Sequence, residues 1–290
     1  MRTPLHSFFV FALAISMLIL SSCRKERLLL KEDPDAIGQF CQIDTFNFGA
    51  APPYYEQVMI SYNHAGDPVT MLPSVPDKYG EDYDDIYFRY DKSDRLVDFF
   101  FVYPAAEPYT VFPLGSIDLW HRFSYPGPRT VVDSFFNYDG PGIPPVANPP
   151  AGYSTLTVSR YELDEKGRIM KTYIQYIASV ASYNDTFYTR YDGRGNVVIP
   201  GITYDNKVNV YRTNKIWQLI FQDYSMNNPI YPATPFYPAT TNITSFNKFG
   251  LPLQYAFNEG NPFPRIFLYQ YSYLGISYSC DRQSGKLISN

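Results

Sequence analysis

Acidic side chains form the densest group of residues that could carry out chemistry. Two carboxylates at a defined separation across a cleft can hydrolyse a glycosidic bond, and six or more converging oxygen atoms can bind Ca²⁺. The Asp-x-Asp-x-Asp-Gly spacing of a calcium loop is absent, so Asp82, Asp84 and Asp85 are a calcium candidate by residue type alone. A solvated acidic loop needs no ligand and is what we expect, with a carbohydrate-active hydrolase using the 77–98 acidic cluster as an alternative. The cluster comprises Asp77, Glu81, Asp82, Asp84, Asp85, Asp91 and Asp94.

Other catalytic patterns are missing from the sequence. Beyond residue 23 the histidines are His64 and His121, and no Gly-x-Ser-x-Gly, His-Glu-x-x-His or Cys-x-x-Cys motif occurs. We therefore expect no catalytic residue, no metal and no cofactor, and we expect His121 to be structural or solvent-exposed. The net charge is −4 and the sequence has no basic block, which argues against a nucleic-acid partner.

Aromatic side chains are the second group that could form a binding site, since the chain has 28 Tyr, 22 Phe and 2 Trp. Most should pack within a β-sheet, because aromatic residues favour strands and cross-strand pairs. Five aromatic residues fall in Pro-rich segments and could instead stack on a ligand: Trp120, Tyr125, Tyr231, Phe236 and Tyr237. The alternative, that each ring covers the sheet beneath it, stays open.

The first residues have the features of a secretory signal. Arg2 precedes an apolar run over 8–20, whose thirteen residues would rise only ~20 Å as a helix, less than a bilayer core of ~30 Å. Leu20-Ser21-Ser22-Cys23 follows, and it resembles the lipobox of bacterial lipoproteins. That resemblance implies a signal peptide over 1–22, fatty acylation (palmitate) of Cys23, and attachment to the cell envelope at the outer membrane. An ordinary signal peptide with an accidental Cys is the alternative.

The residues after Cys23 divide into a tether and a domain. Residues 23–40 are charged and are predicted to be a membrane tether, and 41–290 are predicted to be a single β domain. Cys41 and Cys280 lie near the two ends of that domain. A disulfide between them suits an oxidising compartment, although two buried thiols remain the alternative.

A short pattern recurs five times: an aromatic residue, an Asp, Asn or Glu, a turn, and an apolar run. Alternating apolar strands with Gly in the turn predict β-hairpins. Five hairpins predict an all-β fold, either a curled antiparallel sheet or a two-layer sandwich. At most one short helix is expected, around Ile216–Ile220, with Thr213 or Asn214 as its N-cap. The turns lie at 63–66, 91–95, 164–168, 192–196 and 247–250.

Three copies carry an Arg before the aromatic residue: Arg89-Tyr90-Asp91, Arg160-Tyr161-Glu162 and Arg190-Tyr191-Asp192. They resemble the YD (RHS-like) repeats of bacterial surface proteins, and the chain resembles Bacteroidetes-type lipoproteins of unknown function with degenerate copies. The resemblance implies an antiparallel sheet of hairpins. Residues 104–152 hold 10 of the 25 Pro, so we expect a Pro-rich insertion of loops and edge segments there and not a strand-rich region.

These features together predict a lipid-anchored cell-envelope lipoprotein with a non-catalytic β domain that binds a glycan or a protein. A structural envelope component that binds a partner protein is the second hypothesis, and the hydrolase is the third. The sequence leaves open which side of the outer membrane the domain faces.

Overall fold

The computed structural model describes residues 41–48, 56–74, 85–103, 116–138, 153–178, 182–230, 243–256 and 273–280. Thirteen strands form one antiparallel sheet, and two further strands form a small second sheet. This confirms the all-β fold with a short helix. The strands are β1 (Gln42–Phe48), β2 (Glu56–Tyr62), β3 (Pro68–Pro73), β4 (Asp85–Tyr90), β5 (Leu96–Tyr103), β6 (Ser116–Gly127), β7 (Thr130–Asn137), β8 (Thr155–Leu163), β9 (Ile169–Ala178), β10 (Ser182–Tyr188), β11 (Thr203–Val208), β12 (Asn227–Ile230), β13 (Ile243–Phe246), β14 (Pro252–Ala256) and β15 (Tyr273–Ser279).

The large sheet is a meander that the last strands extend. Strands β1 to β10 lie side by side in chain order, and β15, β14 and β13 follow on the other side of β1. The end strands are therefore β10 and β13. A disulfide joins Cys41, just before β1, to Cys280, just after β15, across a sequence separation of 239.

All five repeat copies form the same turn. The side chain that opens each turn accepts hydrogen bonds of 2.8–3.1 Å from the backbone N–H groups two and four residues later. The fourth residue has positive φ, which Gly adopts without strain, and Asp94 takes it at 53° in the second copy. These local bonds explain why Asp or Asn opens every turn. The opening residues are Asn63, Asp91, Asp164, Asp192 and Asn247.

The fourth turn lacks the strand pair of the other four. Tyr191 and Val197 form an isolated bridge, and the Val198 N–H donates to the Arg190 carbonyl at 2.8 Å. The chain then turns away, because Pro200 has no N–H to donate and Gly201 has a φ of 80°. Along 182–188, β10 therefore keeps an open outer side within the described part of the chain.

Tyrosines tie each turn to a neighbouring element; we call these contacts tyrosine locks. In each lock a tyrosine O–H donates, at 2.6–2.8 Å, to the carbonyl of the residue five positions after the one that opens a turn. The tyrosine comes from a later strand or bridge, so the lock bonds two segments that are separated in sequence. The five locks are Tyr90 to Pro68, Tyr125 to Leu96, Tyr191 to Ile169, Tyr204 to Val197, and Tyr278 to Pro252.

A helical segment packs on one face of the large sheet. A 3-10 helix (Val210–Thr213) leads into helix α1 (Lys215–Phe221), and Trp217 meets Phe88 of β4 edge-to-face with ring centroids 5.8 Å apart. Asn214 caps α1 by accepting from the Ile216 N–H at 2.8 Å, as one of the two expected caps. The helix ends at Gln222 in the left-handed region. Residues Asn227–Ile230, further along the chain, form β12.

The expected Pro-rich insertion over 104–152 is wrong as a loop region. It contains β6 and β7, and β6 is the longest strand described, with 12 residues. The proline count over the whole of 104–152 concealed these two strands. Only Pro126 and Pro128 fall within 116–138, and both lie near the β6–β7 turn. The other prolines of the stretch lie outside the described residues.

Candidate interaction surface

Exposed apolar side chains concentrate on β9, β10 and the residues just after them. Nine large apolar side chains are exposed in the described residues, and seven of them lie between 170 and 199. A cluster of exposed apolar groups is the usual mark of an interaction site, whereas single ones need no explanation. The seven are Met170, Tyr173, Tyr183, Phe187, Tyr188, Val198 and Ile199.

Strand alternation places these rings on both faces of β9 and β10, which we call the terminal hairpin. Tyr183 and Phe187 lie on one face and are 58% and 50% exposed. Tyr188 lies on the other face, opposite Lys171 of β9, and is 74% exposed. The core cluster that includes α1 reaches as far as Ile169 at the start of β9 but includes no residue of β10. Both faces of β10 are therefore open to solvent.

The rings of the terminal hairpin are partly ordered by one another. Tyr176 and Tyr183 stack with centroids 5.0 Å apart, and the Lys171 ammonium lies 5.9 Å from the Tyr188 ring centre. Asp185 is the only charged residue of β10, and its Oδ1 accepts from the Thr186 N–H at 2.7 Å. The surface is thus aromatic and carries little charge.

Trp120 does not lie where ligand stacking would need it. It sits on β6 and is fully buried, and its indole N–H donates to Asp98 at 2.7 Å. Sequence reasoning failed here because Asp98 comes from β5, 22 residues earlier. The interpretation of Trp120 as a ligand-stacking residue is therefore wrong.

Tyr125 is also committed to the fold. Its hydroxyl forms the lock to Leu96, and the Arg95 guanidinium lies 4.6 Å from its ring centre. Half-buried in this way, the ring covers the sheet. The other three candidates, Tyr231, Phe236 and Tyr237, lie outside the described residues.

A buried ion cluster surrounds Trp120. Arg122 Nε lies 2.8 Å from Asp98 Oδ1, and Arg89 Nη2 lies 3.1 Å from Asp98 Oδ2. Both guanidinium groups also lie over the Trp120 ring, at 5.1 and 5.3 Å from its centre. Asp98 is therefore a buried carboxylate that two partly exposed arginines neutralise, an arrangement in which a carboxylate is held by its partners and not offered to a substrate.

His121 belongs to a second buried polar group. Its Nδ1 lies 3.0 Å from Asp133, Tyr161 donates to the same carboxylate at 3.3 Å, and Gln222 contacts the Tyr161 hydroxyl. The imidazole stacks on Phe135 with centroids 4.4 Å apart. His121 and Tyr161 thus supply the hydrogen-bond partners of Asp133, which is almost fully buried. Buried polar groups require such partners. A structural role accounts for His121.

The acidic cluster shows no metal geometry in the residues that the structure describes. Asp91 and Asp94 both belong to one turn, while Asp85 opens β4, where burial raises the pKa of its carboxyl and the Tyr87 hydroxyl donates to it at 3.3 Å. Asp82 and Asp84 lie outside the described residues, as do Asp77 and Glu81. Within the described ranges, no group of three His, Cys, Asp or Glu side chains could hold a metal ion.

No protein-family model matches the chain, and no curated protein matches it in sequence. Among the helices in the described ranges, none has the length and apolar character needed to cross a bilayer.

The surface of the terminal hairpin was missed by sequence reasoning. The residues before the fourth turn were expected to form a hairpin strand, but alternating residues look the same whether or not a second layer covers them. A usable signal was the Pro200-Gly201 pair after the fourth turn, which removes the strand that would have flanked β10.

Proposed function

We propose that this chain is a lipid-anchored cell-envelope protein whose β domain binds a protein partner, without catalysis, through the terminal hairpin. The observation that carries the binding role is the grouping of Tyr173, Tyr183, Phe187 and Tyr188 as exposed rings on β9 and β10. The lipobox-like 20–23 segment carries the anchoring role.

Lipid attachment at Cys23 would hold the domain at the membrane. Each buried methylene contributes ~0.8 kcal/mol, so two or more acyl chains give stable anchoring where one gives only reversible binding. The charged 23–40 segment then serves as the spacer between lipid and sheet.

A protein partner suits this surface better than a glycan. The rings lie on both faces of an end strand that also keeps an open backbone edge, and pairing at a strand edge is a standard mode of protein recognition. Two of the rings that a stacked sugar was expected to use, Trp120 and Tyr125 of β6, are instead packed into the sheet. This favours the envelope component that binds a protein over the glycan-binding domain.

The anchoring half is tested by growing cells with labelled palmitate. We expect label in the wild-type protein and none in Cys23→Ser, with the variant recovered in the soluble fraction. Equal labelling of both proteins would refute acylation at this position.

The binding half is tested by photo-crosslinking in cells. A photoreactive residue replaces Tyr188, and as control another replaces Met59, which is exposed to 47% on distant β2. We expect a discrete protein adduct from position 188 only, and its loss when Tyr183→Ser and Phe187→Ser are added. An adduct that survives those changes, or binding to envelope polysaccharide in place of protein, would contradict the proposal.

A further inference from the structure

The two ends of the large sheet differ in how they are protected. At one end β13 has only four residues, and its pairing with β14 shifts register twice. At the other end β10 pairs with β9 over seven consecutive positions without a shift, and it contains no Pro and no Lys. Proteins usually blunt an open edge by shortness, irregularity, charge or Pro. β13 has two of these features, whereas β10 carries one charge, Asp185. That carboxylate accepts from the outward Thr186 N–H at 2.7 Å, and a partner strand would have to replace this bond; along the described residues 182–188 no other feature obstructs pairing.

Hydrogen bonds define which backbone groups of β10 point outward. The Thr189 N–H donates to the Met170 carbonyl at 2.9 Å, so Thr189 faces β9 and every second residue before it does the same. The opposite set faces outward, and the Val198 N–H bond to the Arg190 carbonyl confirms that parity from the other side. The outward-facing residues of β10 are Ser182, Asn184, Thr186 and Tyr188.

We propose that this edge pairs antiparallel with β10 of a second copy of the chain, about a two-fold axis at Asn184. This rests on the proposed function and names its partner. The sheet would then continue across the axis, with Asn184 opposite Asn184 and Ser182 opposite Thr186 of the other copy. Because both copies would be anchored in one membrane, their effective concentration at each other's edge would be high.

Charge and space exclude two neighbouring registers. An axis at Asp185 would place two carboxylates directly opposite each other, which destabilises a strand pair. An axis at Thr186 would set Ser182 of the other copy against Arg190, where Val198 already occupies the outward side. The axis at Asn184 places Asp185 opposite Tyr183, whose hydroxyl can donate to a carboxylate, and leaves Val198 undisturbed.

The register is tested by disulfide trapping of the full-length chain in membranes. Directly opposed residues have Cα atoms ~5.5 Å apart, within reach of a disulfide. We expect Asn184→Cys to form a dimer under mild oxidation, and Met59→Cys to form at least ten-fold less. Ser182→Cys and Thr186→Cys, differently tagged and coexpressed, should join to each other. Equal trapping at positions 184 and 59 would overturn the proposal.

The role of the β10 edge in pairing is tested by removing one of its outward N–H groups, that of Asn184. Asn184→Pro removes an outward N–H that β9 does not use, and Asn184→Val retains it. In detergent, light scattering should show a dimer for the wild type and Asn184→Val, and a monomer for Asn184→Pro, whose Cys41–Cys280 bond and circular dichroism report its folding.

The outcomes separate the two proposals. If the wild type is monomeric while position 188 still crosslinks to a different protein, the two-fold pairing is wrong and the proposed binding role stands. If neither dimer nor protein adduct forms, both are wrong.

Discussion

Single carboxylates fix three of the five turns, and the pKa of each of the three is lowered. The Arg95 side-chain and backbone hydrogen bonds lower the pKa of Asp91. At Asp164 burial acts to raise the pKa, but hydrogen bonds from Arg168 and Lys166 outweigh it and the pKa is lowered. A carboxyl with a lowered folded pKa stabilises the fold above its unfolded pKa, and this stabilisation is lost as pH falls through the folded value.

We expect Asp164→Ala to lower the free energy of unfolding at pH 7 by about 2 kcal/mol, since two backbone N–H groups and Arg168 lose their acceptor. Asp164→Asn is the matched control, because Asn63 and Asn247 build the same turn with an amide. Urea unfolding measures both. The Asn variant should lose less stability and should show weaker acid destabilisation below pH ~4 than the wild type; equal losses would mean that the side-chain acceptor is unimportant.

The left-handed residue of each turn gives a second prediction at this scale. Gly167 has a φ of 75°, and no atom lies within 4 Å of where a Cβ would be. Gly167→Ala should therefore cost about 1–2 kcal/mol from backbone conformation alone. The same change at exposed Gly193, where φ is not positive and the space is also open, should cost less. A thermal or urea unfolding series would show the difference, and matched losses would contradict it.

Strands and turns are joined by the tyrosine locks, which act on whole elements. Burial is the main cause that raises the pKa of Tyr125 to about 12, with Asp91 adding to it and Arg95 opposing it. Because the folded pKa is above the unfolded one, the neutral phenol stabilises the fold below pH ~10, and that contribution is lost as pH rises through 12. The locks should thus release in alkali.

We expect Tyr125→Phe to cost about 1 kcal/mol at pH 8, where the bond to the Leu96 carbonyl is intact in the wild type. The difference between wild type and variant should shrink between pH 10 and 12, because the Tyr125 phenol ionises in the unfolded chain from pH ~10 while in the folded protein its pKa is about 12. Exposed Tyr173→Phe serves as the control and should leave stability unchanged at pH 8. A pH-independent penalty would show that ring packing, and not the hydroxyl, carries the effect.

The turns could be predicted from sequence and the locks could not, for a physical reason. A turn depends on Asp164 and its next four residues, so its cause is local. The Tyr191 lock needs a carbonyl 22 residues away, and Trp120 needs Asp98 at the same separation. Which residues face each other at that range depends on register, which local patterns do not specify. Whether Tyr188 is exposed also depends on which other elements pack over β10, and local sequence patterns do not specify that.

A disulfide between Cys41 and Cys280 links β1, the first strand of the large sheet in the chain, to β15, the last. The Cys41–Cys280 bond closes a long loop, and in the chain-entropy model such a bond stabilises by up to ~5 kcal/mol. The double variant Cys41→Ser/Cys280→Ser should unfold at a lower guanidinium concentration than the wild type. Intact-mass analysis should show the wild type gain two hydrogens on reduction. Identical unfolding midpoints would mean that the bond adds nothing to β1–β15 pairing.

The pairing of β1 with β15 also imposes an order on biogenesis. Phe46 of β1 must find Ile276, on a strand that leaves the ribosome some 230 residues later. Until then the edge of β1 that will pair with β15 has no partner strand. The growing chain therefore exposes unpaired backbone groups that can pair with another chain. Completion by the final strand is a long-range event, and such contacts slow folding. We therefore expect correct folding to require that unfinished chains stay separate from one another until synthesis ends.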